Sequence, residues 1–288
     1  MPGQTKTASF YMLTKGTNGL QKVLLNSPGN SCAEIYLHGS HVTSWKPAGG
    51  EEQLFLSRTS EFGPNASIRG GVPVIFPQFG KEGPLPRHGF ARRMEWVFVK
   101  AEDGPSGVTA SFQFRDDQAT RRIWPHAFLA GLTVTVGGQH LTLTLSVTNM
   151  AHEAFSFTGA LHTYLHVSAI QDAFIEGLGG RTYVDMVGVR AEKIQPEEKM
   201  AFKGEVDRDY FNAPSEVVLH DRQRQVNVST HGFPDVVVWN PWAELGATLA
   251  DLEPEGYQHM VCIEAAVIGH PLSLAPGESW SGTQKLSV

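Results

Sequence analysis

Apolar and polar residues alternate along much of this chain, the period expected where successive side chains point to opposite faces of a strand. Leu141, Leu143, Leu145 and Val147 interleave with Thr142, Thr144, Ser146 and Thr148. This predicts a half-buried strand whose hydroxyl-bearing face meets solvent or another polar layer. Gly131 to Val136 repeats the alternation just upstream, and Gly137-Gly138 between the two runs marks a hairpin turn. Shorter strand-like runs follow at Val108 to Phe114, Glu216 to Leu219, Val226 to Ser229, Val236 to Trp239 and Met260 to Ile263, each bounded by turn residues. With 30 Gly and 17 Pro punctuating the chain and few 3.6-residue patterns, the expected class is all-β, a large antiparallel β-sandwich with few short helices. No internal repeat, low-complexity tract or linker breaks the pattern, so one domain over residues 1–288 is expected. The polar stretch Ala191 to Asp209 reads as a long excursion over the surface.

Composition narrows the partners. A chain of 288 residues with 41% hydrophobic content buries a substantial core. Its net charge of −6 leaves no broad basic footprint for nucleic acid, so an anionic ligand has to be held by a local cluster. Cys32 and Cys262 are too few for a disulfide framework, which fits a reducing compartment. The first ten residues, M-P-G-Q-T-K-T-A-S-F, lack the apolar core of a signal peptide, and no run of about 18 apolar residues occurs. A soluble cytoplasmic protein with no nucleic-acid or membrane partner, monomeric, is the expectation.

Candidate chemistry concentrates in three places. From Arg69 to Arg92 the chain reads R-G-G-V-P-V-I-F-P-Q-F-G, a short Gly/Pro-rich loop, then L-P-R-H-G-F-A-R. Arg69, Arg87 and Arg92 sit beside Gly and Pro, so their planar guanidinium forks are presented by turns, as an anion such as phosphate needs; the bland alternative is three solvated surface charges. In L-H-T-Y-L-H-V, His162 and His166 fall on one face of a strand. Either one is a candidate acid or base, a hydrogen-bonded structural residue, or, with His38 and His41, part of a metal-dependent hydrolase or isomerase. In M-V-C-I-E-A-A-V, Glu264 follows an apolar run. It is either a carboxyl whose apolar setting raises its pKa toward proton transfer, or a strand-end residue that meets water.

Taken together, R-G-G-V-P-V-I-F-P-Q-F-G, R-H-G-F-A-R, A-L-H-T-Y-L, E-V-D-R-D-Y, V-V-V-W-N-P-W and V-C-I-E-A resemble the hexose-6-phosphate mutarotases, also called glucose-6-phosphate 1-epimerases, over about residues 20–285. The resemblance implies a galactose mutarotase-like supersandwich with sugar bound in a cleft on one sheet, and an isomerase that exchanges the anomers of D-glucose 6-phosphate or a related hexose 6-phosphate. It places the catalytic histidine at His162 and the catalytic carboxylate at Glu264. Substrate contacts fall on Arg69, Arg92 and Asp207, and His88 resembles a second histidine of the wider group, here a binding residue. Arg87 stands where these proteins often carry Gln or Asn, and Ala265-Ala266 where they often carry Pro-Gly.

Anomer exchange requires a base on the anomeric hydroxyl, Glu264, and an acid on the ring oxygen, His162, with no metal or organic cofactor. An ordinary histidine pKa of about 6.5 leaves an appreciable imidazolium fraction for that role. Trp45, Phe79 or Trp239 is expected to stack on the sugar. Two further readings stay open: an aldose 1-epimerase of unphosphorylated hexoses, and a non-catalytic carbohydrate-binding protein.

Overall fold

The protein is described by a computed structural model over residues 10–222 and 224–288. Its strands form three antiparallel sheets. A four-stranded sheet takes Tyr11–Lys15, Gln21–Asn26, Cys32–Tyr36 and His41–Lys46 in chain order. A nine-stranded sheet contains Gly107–Arg115, Phe128–Gly137, His140–Asn149 and Ser279–Ser287 among its strands. An eight-stranded sheet runs in the order Ala191–Ile194, Thr182–Asp185, Val206–Tyr210, Asp235–Asn240, Met260–Leu274, Phe155–Leu161, Val74–Ile75, with Tyr164–His166 also paired to Met260–Leu274. Among the described residues, α-helix is confined to Gln118–Ile123 and Trp242–Thr248, and no helix is long and apolar enough to cross a membrane.

The period-2 reading holds where it was clearest. Leu141, Leu143, Leu145 and Val147 are fully buried, each removing apolar surface worth about 1.5–3 kcal/mol from water. The alternate hydroxyls form cross-strand pairs, Thr144 with Thr283 at 2.9 Å and Thr109 with Thr135 at 2.8 Å. The turn falls one residue later than expected: Gly137 pairs with His140, so Gly138-Gln139 make the two-residue loop. Gly138 has a φ of 51°, the left-handed conformation such a turn requires. The core joins all three sheets: Leu143 and Phe112 from the nine-stranded one, Val238 and Ile263 from the eight-stranded one, Val23 and Ile35 from the four-stranded one, in one contiguous cluster.

One expectation fails in part. Residues 191–205 do run largely over the surface, though with the strands Ala191–Ile194 and Met200–Ala201 in them, but Val206–Tyr210 lies inside the eight-stranded sheet and is no excursion. Its polar residues read as loop because Asp207 and Asp209 occupy the sheet face away from the core, while Val206 and Tyr210 supply the core face.

Candidate active site

Register builds the site. On Asp235–Asn240 and Met260–Leu274, the alternate residues Val236, Val238, Ile263 and Ala265 enter the main core. The residues between them, Val237, Trp239, Cys262 and Glu264, line the opposite face. Pairing places Asp209 opposite Val237 and Val237 opposite Glu264. It likewise aligns Asp207, Trp239, Cys262 and Tyr164 in the adjacent row. His162 lies in the gap between Phe155–Leu161 and Tyr164–His166, one step past the Leu161 to Ala265 pair, which brings its ring to Glu264. His162 Nε2 stands 3.3 Å from Glu264 Oε1. Glu264 is 1% exposed and sits within its strand, not at the strand's end.

The neighbours explain the electrostatics. Val237, Ala266, Ala160 and Ile75 form a small apolar cluster beside Glu264. Burial therefore holds its carboxyl well above the ordinary range, and Asp207 and Asp209 push the same way. Burial also holds His162 well below the ordinary histidine value, with His88, Arg92 and Arg69 adding to the effect. The expectation of an ordinary imidazole is corrected: burial favours the neutral forms of both partners. Glu264 Oε2 and His162 Nδ1 are buried without a hydrogen-bond partner, so the pair has unused capacity facing the site.

The arginine segment closes on this pair from one side. Gly70 and Gly71, at φ 114° and 60°, let the chain pass so close that a Cβ would lie 2.4 Å from the Phe55 carbonyl oxygen or 2.2 Å from that of Val42. Arg69, fixed at that turn, donates to Tyr164 Oη at 3.0 Å and to Asp251 Oδ1 at 3.0 Å. Tyr164 in turn stacks on His162, ring centres 4.9 Å apart and planes at 9°. Arg92 donates to the backbone oxygen of Arg87 at 3.1 Å, and its Nε is buried without a partner. Among the described residues Arg92 forms no ion pair. Burial draws it down to about 10, with Arg93, Arg69 and Arg87 pushing in the same direction, yet it stays cationic at neutral pH. A partly buried guanidinium without a counter-charge is unfavourable, so this corner favours an anion.

His88 joins from the same segment. Its Nδ1 accepts from the Gly80 N–H at 3.3 Å, which leaves the proton of the neutral ring on Nε2 as a donor. Burial lowers its pKa, and Arg92, Arg87 and Arg69 lower it further, so it donates as neutral imidazole. Its ring meets His162 edge-on at 5.6 Å and Phe79 at 5.1 Å. Arg87 is exposed at the rim, where its charge acts on Asp207, His88 and Glu264.

Not every sequence candidate reaches the site. His166 is turned away: its ring stacks on His259 at 6.3 Å. His38 and His41 donate to the carbonyl oxygens of Ala66 and Gly70, and among the described residues no group of three metal-binding side chains forms. Trp45 is fully buried in the main core and meets no sugar, whereas Trp239 sits edge-on to His162 at 6.2 Å and Phe79 adjoins His88. Asp209 and Tyr164 line the site but were not singled out from sequence; both lie in quoted segments, two residues from a predicted site residue. A recess of about 640 Å³ lies elsewhere, lined by Glu51, His166, Ser168, Asp221 and Arg224 among others. There Arg224 is already paired with Asp221 at 3.2 Å.

The sequence profile of the aldose 1-epimerase family matches residues 21–287. The chain belongs to that family. A relative from Cenchrus ciliaris, provisionally named a glucose-6-phosphate 1-epimerase, is 38% identical over 97% of this chain and 88% of its own length. One from Salmonella typhimurium, named in the same way, is 35% identical over 83% of this chain and 81% of its own length. The crystal structure of a provisionally named mutarotase from Salmonella typhimurium superposes with a TM-score of 0.86 at 32% identity, covering 93% of this chain and 90% of that one. A galactose mutarotase-like protein from Clostridium acetobutylicum shares the fold at a TM-score of 0.72 and 16% identity, covering 96% and 97% of the two chains. The supersandwich expected from the sequence is thus the architecture of this family member.

Proposed function

We propose that the protein interconverts the α and β anomers of a hexose 6-phosphate, D-glucose 6-phosphate first among them, by acid–base opening and reclosure of the ring. The observation that carries this reading is the buried His162–Glu264 contact beside the unpaired Arg92. The names of the relatives from Cenchrus ciliaris and Salmonella typhimurium support the same substrate.

Glu264 as carboxylate takes the proton of the anomeric hydroxyl while His162 as imidazolium gives its proton to the ring oxygen. The bond between C1 and the ring oxygen breaks, leaving an aldehyde and a free 5-hydroxyl. After rotation about C1–C2, His162 recovers the proton from that hydroxyl as it attacks the carbonyl, and Glu264 returns its own to the carbonyl oxygen. The reactive pair and the neutral pair favoured by burial differ by one proton carried between the two side chains. The positive charges of Arg92 and Arg69 oppose the imidazolium. A phosphate dianion laid against them cancels that field, so the anionic end of the substrate both anchors it and promotes the acid. His88 Nε2–H and Asp207 contact the sugar, and Trp239 and Phe79 offer apolar surface to its ring.

Saturation-transfer NMR with purified protein tests this reading. Exchange of glucose 6-phosphate is expected well above the spontaneous rate and well above exchange of glucose. The Arg69→Ala, Arg92→Ala protein loses most of that preference, and inorganic phosphite added to the parent raises exchange of free glucose. No enhancement on any hexose 6-phosphate overturns the proposal. Equal enhancement on glucose and its phosphate leaves an aldose 1-epimerase of free sugars.

A further inference from the structure

The acidic side of the site contains a residue that the reaction above does not use. On Val206–Tyr210, Val206 and Tyr210 enter the core and Arg208 donates to Gln195 Oε1 at 2.8 Å, so Asp207 and Asp209 share the face that carries Glu264. Asp209 is 7% exposed and stands two strands from Glu264 in the same row. Among the described residues no hydrogen bond or ion pair reaches its carboxyl group. Asp235, the acid at the far end of this face, differs: it accepts from the backbone N–H groups of Asn212, Ile268 and Gly269. The cation nearest in effect to Asp209, Arg190, is paired with Glu82. Burial and Asp207 hold the Asp209 carboxyl up at about 7.

The residue is more than nine-tenths buried and the protein supplies its carboxyl with no donor, so the little surface that the carboxyl keeps is open to donors from a ligand. The missing donors have to be neutral, because a cationic ligand would meet Arg87 and Arg92 across the site. They also have to come from the part of the ligand remote from its anionic end, which the arginines hold. Secondary hydroxyls on a pyranose ring meet both requirements. Two acceptors at i and i+2 on one strand, about 6.8 Å apart at Cα, suit a polyol edge better than a single hydroxyl.

We propose that Asp209 determines sugar specificity by accepting a hydrogen bond from one secondary hydroxyl of the bound hexose, beside the contact made by Asp207. This rests on the hexose 6-phosphate reading above. The test compares kcat/KM for glucose 6-phosphate and its 2-, 3- and 4-deoxy analogues in the parent, Asp209→Asn and Asp209→Ala proteins. In the parent, removing the hydroxyl that meets Asp209 is expected to cost about 10–100-fold, the range of a hydrogen bond to a charged acceptor. In Asp209→Ala that one penalty collapses to within about twofold while the other two persist. Asp209→Asn, nearly the same shape, gives a reduced penalty and covers the case in which the alanine protein does not fold. A variant that slows all four substrates equally, with every penalty unchanged, assigns Asp209 a structural role and overturns the inference. A parent inactive on every hexose 6-phosphate overturns the functional reading instead.

Discussion

The two faces of the eight-stranded sheet are built from the same strands by neighbouring residues, yet they do different work. Toward the core, Val236, Val238, Ile263 and Ala265 are apolar and belong to the main cluster. One residue along, Val237 and Ala266 remain apolar, but Glu264, Asp209, Asp207 and Asp235 replace the pattern with four carboxyls, and His162 and the arginines approach from outside the sheet. The core face is complete in itself. The other face holds polar groups without partners, Glu264 Oε2, His162 Nδ1, Arg69 Nε and Arg92 Nε, which a folded protein retains at a cost. Ser40 Oγ, His41 Nδ1, Trp45 Nε1 and Asp221 Oδ1 also lack partners but lie away from this face, so it is the convergence of the first four around the His162–Glu264 pair that points to a ligand.

The largest expected effect breaks the chemical face alone. Glu264→Gln keeps shape and folding but removes the group that takes and returns the anomeric proton, so the exchange rate falls about 10²–10⁴-fold. A folded mutant with the parental rate by saturation-transfer NMR removes Glu264 from the mechanism. The neighbouring substitution Ile263→Ala tests the other face. It is expected to cost about 2–5 kcal/mol in urea unfolding while the folded fraction exchanges anomers within about tenfold of the parent. If the rate falls as far as in Glu264→Gln, the two faces are not separable.

The smallest effect is a pH signature. Burial raises Glu264, so the folded chain keeps a proton that the unfolded chain releases near its ordinary value of about 4.3. Stability contributed by that proton is full below this value and is lost as pH rises toward the folded value. His162, lowered by burial, has the opposite sign and loses stability as pH falls below about 6.5. Glu264→Gln lacks the first contribution only. Relative to the parent it therefore gains stability as pH rises above about 4.3, by at most about 1.4 kcal/mol per unit. A constant difference across urea titrations from pH 4 to 9 contradicts the buried, proton-holding carboxyl.

Much of this was legible in the sequence. The Leu141 to Val147 alternation gave its strand because one face is buried and the other half-exposed, and six ordered segments pointed to the residues that meet at the site. The runs V-V-V-W and M-V-C-I-E were recognisable as strands but silent about direction, since strands covered on both faces lose the alternation that tells inside from outside. For the same reason Glu264 was ambiguous between a strand end and a buried position. Val206–Tyr210 was misjudged because polar residues on the site face look like those of a loop.

The sequence by itself determined the all-β class and the Gly137-Gly138 turn to within a residue, because these follow from local periodicity, and its resemblance to a family named the candidate acid, base and cations. Only the tertiary structure decided which of them lack partners. That His162 touches Glu264, that Arg69 is paired while Arg92 is not, and that no protein donor reaches the Asp209 carboxyl all depend on strand register between segments far apart in the chain. Desolvation, which sets the charge each group carries, depends on everything packed around it.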